Sequence, residues 1–142
     1  MKYDDASWHS DGDFPKDLPG EAGATHTGMF LAWAFLCGLA GEIHTEETPE
    51  ALAALRDRLV TPGTFFLQQC DGKFTDEDLN DEGNEFAAVY FEFENGQYLR
   101  DYDEVLSDEL ETMYHVPDTW SSFDKLAPVL DQRLADWRCR KV

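Results

Sequence analysis

The chain has 142 residues, of which 42% are hydrophobic and 13% aromatic, and this composition argues against a disordered protein and against a coiled coil. Its 11 lysines and arginines against 30 aspartates and glutamates give a formal net charge of −19. Such a charge argues against an electropositive surface that follows phosphates, so we expect no direct binding of nucleic acid. At this length, a single domain over residues 1–142 is expected.

The cysteines and the apolar segments indicate a compartment. The three cysteines are widely spaced and odd in number, which favours a reducing cytoplasm over a secreted disulfide framework. The N-terminus lacks the basic and apolar regions of a signal peptide. The uncharged stretch 22–41 is densely apolar only from Met29 to Ala40, which is short of the roughly 18 residues of a membrane span. We therefore predict a buried helix and no membrane contact.

The first part of the chain predicts an arm followed by a central helix. Residues 1–24 combine prolines and glycines with acids, so we expect an irregular N-terminal arm in front of a helical body over residues 25–142. Thr25 or Thr27 can cap a helix that runs to about Ala40. That helix is apolar on all faces, which is typical of a central element surrounded by others.

Further helices are indicated downstream. A threonine followed by a proline marks a helix start at Thr48-Pro49 and again at Thr61-Pro62. Large apolar residues recur at helical spacing from Phe123 to Trp137, which predicts a C-terminal helix. Pro128 lies inside that stripe and implies either a kink or a fresh helix start.

Residues 86–106 are compatible with two structures. Apolar residues at three-to-four spacing favour a helix, whereas alternation before Asn95-Gly96 favours a hairpin. Local patterns slightly favour the helix. The predicted fold class is therefore mainly α, a compact single-domain helical bundle, and the alternative is an α+β fold with a hairpin around Asn95-Gly96.

Negative charge is concentrated in residues 71–111, where 15 acids minus 2 bases give −13. Tyrosines lie among these acids, and such aromatics are typical anchors of protein interfaces. A solvated face is the plainer interpretation. The sharper interpretation is a docking surface for a basic protein partner, which we place at Asp101, Tyr102, Asp103, Glu104, Asp108 and Glu109.

No sequence motif nominates a reaction. Counted from Asp78 as the first position of an EF-hand loop, Asn80, Glu82 and Gly83 stand at the third, fifth and sixth positions. Val89 stands at the twelfth, in place of the bidentate glutamate, so the signal fails. HExxH, GxSxG, Walker and GxGxxG motifs do not occur. We therefore predict no catalytic residue, no metal ion and no cofactor.

One short segment still gathers residues that could begin a metal or acid–base site. His9, Asp11 and Asp13 lie within five residues of one another, and His26 could join them. Aspartate and histidine in loops more often bond to nearby backbone groups, so a structural loop is the favoured interpretation. The site is kept as an alternative.

Several distinctive strings occur along nearly the whole chain. They are KYDDASWH at 2–9, GATH at 23–26, GMFLAW at 28–33 and CDGK at 70–73. On these strings the chain resembles a family of small acidic bacterial proteins. The resemblance implies a compact, largely helical single domain and brings no catalytic residues. The family is also similar in size and acidity to bacterial immunity proteins, which bind and block a cognate toxin.

Together these observations predict a non-enzymatic cytoplasmic binding protein. The leading hypothesis is an immunity protein whose acidic surface occupies the basic cleft of a cognate bacterial toxin. One alternative is a metal-binding protein or enzyme that uses the loop of His9, Asp11 and Asp13. Another is an acidic adaptor protein.

Overall fold

The structure is a computed structural model that describes residues 2–9, 14–92, 96–107 and 110–141. Among these residues the α-helices are α1 (Ala6–His9), α2 (Thr25–Leu36), α3 (Pro49–Arg56), α4 (Pro62–Gln69), α5 (Asp81–Tyr90), α6 (Tyr98–Leu106) and α7 (Trp120–Lys141). The strands are β1 (Lys2–Asp5) and β2 (Lys73–Thr75), which pair with each other. The prediction of a mainly α fold is confirmed. None of the helices in this part of the chain is long and apolar enough to cross a membrane.

Helix α2 forms the centre of the fold. All its residues from Thr25 to Phe35 are buried, as expected for a helix that is apolar on every face. It packs closely on α4 because glycines meet where the two helices cross. A Cβ atom on Gly28 would lie only 2.8 Å from the Cα atom of Gly63.

The helix boundaries follow local chemistry. The starts predicted at Pro49 and Pro62 are confirmed, with proline in the first turn of α3 and of α4. Helix α2 ends at Leu36 instead of at the predicted Ala40. Gly38, with a φ of 86°, adopts the left-handed conformation that commonly ends a helix.

The N-terminal arm predicted over residues 1–24 contains short regular elements. Residues 2–5 form β1, residues 6–9 form α1 and Gly20–Ala24 forms a short 3₁₀ helix. Residues 10–13 lie outside the described part of the chain.

Strand β1 is ordered by a partner that is distant in sequence. It runs antiparallel to β2, with Lys2 opposite Thr75 and Asp5 opposite Lys73. The ring of Tyr3 packs on Phe74 at a centroid distance of 4.6 Å. A two-stranded pairing of this kind has no local sequence pattern, because its hydrogen bonds join segments about seventy residues apart.

The ambiguous segment 86–106 is helical wherever it is regular. Helices α5 and α6 flank a short connection in which Gln97 N–H donates to the carbonyl of Tyr90 at 3.0 Å. The hairpin alternative is therefore wrong, although Asn95 itself lies outside the described residues. The helical structure is favoured over the hairpin because it buries the side chains of Phe86, Tyr90 and Tyr98 in the core.

Helix α7 covers one side of α2 and closes the core. It continues through Pro128, so no new helix starts at this proline. The lost backbone hydrogen bond is offset by burial of its apolar stripe. The buried residues of that stripe are Phe123, Leu126, Leu130 and Leu134.

Candidate functional site

The first three elements of the chain bring an aspartate and two histidines together. Asp4 lies in β1, His9 ends α1 and His26 lies in the first turn of α2. One ligand atom from each lies within 4.8 Å of the other two. We call these three residues the histidine cluster.

Asp5 turns the chain from β1 into α1 and so places His9. Its carboxylate accepts hydrogen bonds from Ser7 N at 3.0 Å and from Ser7 Oγ at 2.8 Å, which is the pattern of a helix N-cap. The Lys2 ammonium, which outweighs the effect of burial, and the Ser7 donors together lower the pKa of Asp5 to about 2. The backbone also helps, because Ala6 N donates to the carbonyl of Gly72 at 2.8 Å.

Within the cluster, Asp4 is fully buried and surrounded by donors. His9 Nε2 lies 2.7 Å from Asp4 Oδ1, and the Thr27 hydroxyl donates to Asp4 Oδ2. The other ring nitrogen of His9, Nδ1, lies 2.9 Å from the hydroxyl of Tyr114. A neutral His9 satisfies these contacts if Tyr114 donates to Nδ1 and Nε2–H donates to Asp4.

His26 is placed differently. It is 2% exposed, and neither ring nitrogen has a hydrogen-bond partner among the described residues. Its Nε2 faces Asp4 Oδ2 at 3.4 Å, which is long for a hydrogen bond to a carboxylate. Burial lowers the pKa of His26 even though Asp4 opposes this shift, so the imidazole is neutral near pH 7. Neutral imidazole carries the lone pair that binds metal ions.

The carboxylate of Asp4 is ionised in this environment. Burial alone would raise its pKa, but His26 and His9 outweigh burial and hold the pKa of Asp4 well below its usual range. The cluster therefore combines one anionic oxygen ligand with two imidazoles.

A cleft reaches the neighbourhood of the cluster. It has a volume of about 440 Å³, and Thr25 and Tyr114 contribute to its lining. Tyr114 contacts His9 directly, and the His9 side chain is 12% exposed. The cluster is therefore close to solvent on the side of His9 and Tyr114.

A second group of similar composition is built from His44, Cys70 and Asp78. His44 Nε2 bonds to Asp78 Oδ1 at 2.8 Å, while Thr75 N donates to Asp78 Oδ2 at 2.9 Å. Both carboxylate oxygens are thus engaged, as those of Asp4 are by His9 and Thr27. Burial and Asp78 raise the pKa of the Cys70 thiol, whereas metal binding requires the thiolate. His44 Nδ1 also lacks a described partner, but the nitrogen that faces the group is already bonded. We assign a structural role to this group.

The structure changes the predicted partner surface. Asp103 and Glu104 are exposed on α6 as predicted. Asp101 and Tyr102 are buried, at 3% and 0% exposure, so their predicted place on the surface is wrong. Asp108 and Glu109 lie outside the described residues, and no partner is present to test binding at any of these positions.

Asp101 is buried because it belongs to the inner face of α6. It accepts a hydrogen bond from Tyr90 OH at 2.6 Å and a two-pronged pair from Arg133 at 2.9 and 3.0 Å. Burial and Asp101 both raise the pKa of Tyr90, which stays a neutral donor. Tyr98, Asp101 and Tyr102 follow the spacing of one helix face, a periodicity that is hidden by attention to charge alone.

The alternative metal loop is also rearranged. The structure brings His9 and His26 together, whereas Asp11 and Asp13 lie outside the described residues. Asp4 takes part instead, and no sequence pattern indicated it. No spacing rule links Asp4 to His26, because β1 and α2 meet only through the tertiary fold.

Comparison with known proteins places the chain in a family. The sequence model of a family described as "Domain of unknown function (DUF7832)" matches residues 2–116. The chain belongs to this family. The DUF7832 match includes the whole histidine cluster and Tyr114, and it ends before α7. No curated protein and no solved structure matches the chain.

Proposed function

We propose that this protein binds a first-row divalent transition metal, with Zn²⁺ as the reference ion, between Asp4, His9 and His26. The observation that carries the proposal is His26, a buried imidazole with no described hydrogen-bond partner that faces a carboxylate and a second imidazole. An unpaired buried polar group costs about 1–3 kcal/mol, and a metal ion would use its lone pair. The proposal departs from the sequence prediction of no metal.

The distances support this ligand set. Zinc–nitrogen bonds of about 2.0–2.1 Å put two tetrahedral ligand atoms about 3.4 Å apart. Asp4 Oδ2 and His26 Nε2 have this separation, 3.4 Å. The 2.7 Å contact between Asp4 and His9 is a hydrogen bond, and metal binding would remove it. A neutral His9 that binds a metal through Nε2 would carry its proton on Nδ1 and donate it to the Tyr114 hydroxyl.

Tyr114 supports the site from outside. Its hydroxyl contacts His9 Nδ1 and so orients the ring with Nε2 toward Asp4, as outer partners of metal-bound histidines commonly do. Three protein ligands leave a fourth position for water or another small molecule.

Calorimetric titration of Zn²⁺ into the metal-free full chain tests the proposal, with Co²⁺ absorption as a report of geometry. We expect one ion per chain. We expect His26→Ala to weaken binding by more than about 100-fold, because losing a ligand costs more than losing an outer partner. The matched control is His115→Ala, whose imidazole contacts Asp17 and Thr112 instead. Absence of saturable binding, or equal binding by His26→Ala, would contradict the proposal.

A second candidate function is binding of a basic protein, with a cytoplasmic bacterial immunity protein as the specific form. The observation in its favour is that the acid-rich segment 71–111 keeps most of its described acids at the surface. The exposed ones are Asp71, Asp76, Glu77, Asp81, Glu85, Asp103, Glu104 and Glu111. Complementary charge speeds association and is weakened by salt.

Affinity capture at low and moderate salt tests this candidate. The variant is Asp103→Lys with Glu104→Lys, and the control is Glu46→Lys with Glu47→Lys, which makes the same charge change at two other exposed acids. We expect one stoichiometric basic partner that the control retains and the variant loses. Protection of cells against that partner on co-expression distinguishes immunity from an adaptor role. Equal capture by both variants, or no partner at either salt, would count against it.

A further inference from the structure

A cavity of about 510 Å³ lies where α5, α6 and α7 meet and shares no residue with the histidine cluster. Its lining combines aromatic and cationic side chains, namely Phe86, Tyr90, Trp137, Arg100, Arg133 and Arg140. The whole chain has only 11 lysines and arginines, and three of them line this one cavity. None of the described lining residues is acidic.

Two of the three guanidinium groups have no carboxylate partner among the described residues. Arg100 makes no hydrogen bond or ion pair with any described residue, and Arg140 makes only a 3.4 Å contact to the carbonyl of Asp136. Elsewhere in the same chain, Arg58 and Arg138 each form a two-pronged ion pair with a carboxylate. In a protein with a net charge of −19, arginines that lack a carboxylate partner in the described part of the chain and gather at one cavity point to an external anion.

Arg133 connects the cavity to the core. Its Nε and Nη2 are held by Asp101, whereas its Nη1 is not used by that pair. The Tyr90 hydroxyl also donates a hydrogen bond to the Asp101 carboxylate of this pair. One of the three guanidinium groups of the cavity is therefore anchored to a buried carboxylate, whereas Arg100 and Arg140 are exposed.

The remaining wall is aromatic. The rings of Phe86 and Tyr90 stack at 5.0 Å, and Trp137 packs on Phe86 at 5.5 Å. Trp137 is half-buried, and Val89, which also lines the cavity, is 57% exposed, so apolar side chains contribute to the cavity wall. The volume lies in the range of about 300–1,000 Å³ that is usual for small-molecule sites.

We propose that this cavity binds a small organic anion, an aromatic carboxylate or phosphate. Its ring lies against Trp137, and its anionic group accepts hydrogen bonds from Arg100 and Arg140. This site is independent of the metal site proposed above, because the two share no side chain.

Binding of simple probes to the ¹⁵N-labelled full chain tests the proposal, with the indole N–H signal of Trp137 as the readout and Trp137→Phe as its assignment. The probes are phenyl phosphate and benzoate, compared with inorganic phosphate and benzyl alcohol. We expect at least one aromatic anion to bind about 10-fold more tightly than either the anion alone or the ring alone. The stronger of the two aromatic anions identifies the acidic group that the site prefers.

The variant Arg100→Gln with Arg140→Gln is expected to weaken that binding by about 10-fold or more. Its control is Arg56→Gln with Lys125→Gln, which removes the same charge from exposed positions outside the cavity. Failure of both aromatic anions to shift the Trp137 signal at about 10 mM would overturn the proposal. So would equal binding by the variant and its control, or binding of inorganic phosphate or benzyl alcohol as tight as that of the stronger aromatic anion.

Discussion

Asp4 and Asp101 are both buried carboxylates, at 0% and 3% exposure, yet their partners differ in kind. Asp4 faces the imidazoles of His9 and His26, and Asp101 faces the guanidinium of Arg133 and the phenol of Tyr90. Asp4 lies in β1 and contacts His9 of α1, whereas Asp101 lies in α6 and contacts Arg133 of α7. The same residue type therefore sits in two different chemical environments within one small protein.

The difference lies in what each partner can exchange. A guanidinium is always protonated and has no lone pair, so the ion pair of Asp101 with Arg133 joins α6 to α7 and offers no ligand set for a metal ion. An imidazole can give up its proton and offer a lone pair to a metal ion, so the contacts of Asp4 can be remade. Burial alone does not distinguish a structural carboxylate from a functional one, whereas the identity of its partners does.

The largest expected effect comes from removing Asp101 from its ion pair with Arg133. Asp101→Ala leaves Arg133 and Tyr90 without their acceptor and should lower the free energy of unfolding by about 3 kcal/mol. This figure is the low end of the usual range because the Arg133 side chain is 35% exposed and water can replace part of the pair. Urea unfolding measures the change. Glu104→Ala, an exposed acid of the same helix, should cost less than about 0.5 kcal/mol, and a similar cost for both would refute the structural role.

The next effect is the change in stability when a metal ion binds the histidine cluster. Zinc at about 100 times its dissociation constant should raise the free energy of unfolding by about 2.7 kcal/mol, because the ion binds only the folded chain. Thermal unfolding with and without a chelator measures the shift. We expect the full shift in wild type and in His115→Ala, and we expect less than about 0.4 kcal/mol in His26→Ala, whose affinity is more than about 100-fold weaker. An equal shift in His26→Ala would remove the distinction drawn between Asp4 and Asp101.

The smallest effect lies between the two sites. Tyr102 follows Asp101 in α6, its ring lies 6.2 Å from that of His26, and its buried hydroxyl has no partner among the described residues. Tyr102→Phe should therefore change the free energy of unfolding at pH 7 by less than about 1 kcal/mol. A loss of several kcal/mol would show that the hydroxyl has a role in one of the sites.

The variant Tyr102→Phe also tests how the free energy of unfolding depends on pH in the alkaline range. Burial, with a smaller effect from Asp118, raises the pKa of Tyr102 in the folded protein, whereas a tyrosine in the unfolded chain has a pKa of about 10. The unfolded state then binds fewer protons above about pH 10, so stability is lost as pH rises beyond that value. Tyr102→Phe should reduce this loss by up to about 1.4 kcal/mol per pH unit, measured by urea unfolding between pH 9 and 11. Identical slopes for the two proteins would contradict the assignment.

Much of the helical framework follows from local sequence. Pro49 and Pro62 begin their helices because proline at the first helical position loses no hydrogen bond that the helix needs. The apolar run in α2 is buried because a helix without a polar face has no favourable contact with water. Such features depend on neighbours within a few residues, so a single sequence reveals them.

The candidate sites do not follow in the same way. The sequence indicated a possible site at His9 and, at most, a link to His26, but it did not reveal Asp4. It also placed Asp101 and Tyr102 on the surface, because a stretch rich in acids hides the spacing that turns those two residues inward.

The sequence by itself thus determined the mainly helical class, the central helix and the concentration of negative charge. Only the tertiary structure decided which carboxylates are buried and which groups they meet. The physical reason is range, because helix starts and apolar periodicity act over a few residues. The contact between Asp4 and His26 and the pair of Asp101 with Arg133 join segments that are 22 and 32 residues apart in the chain.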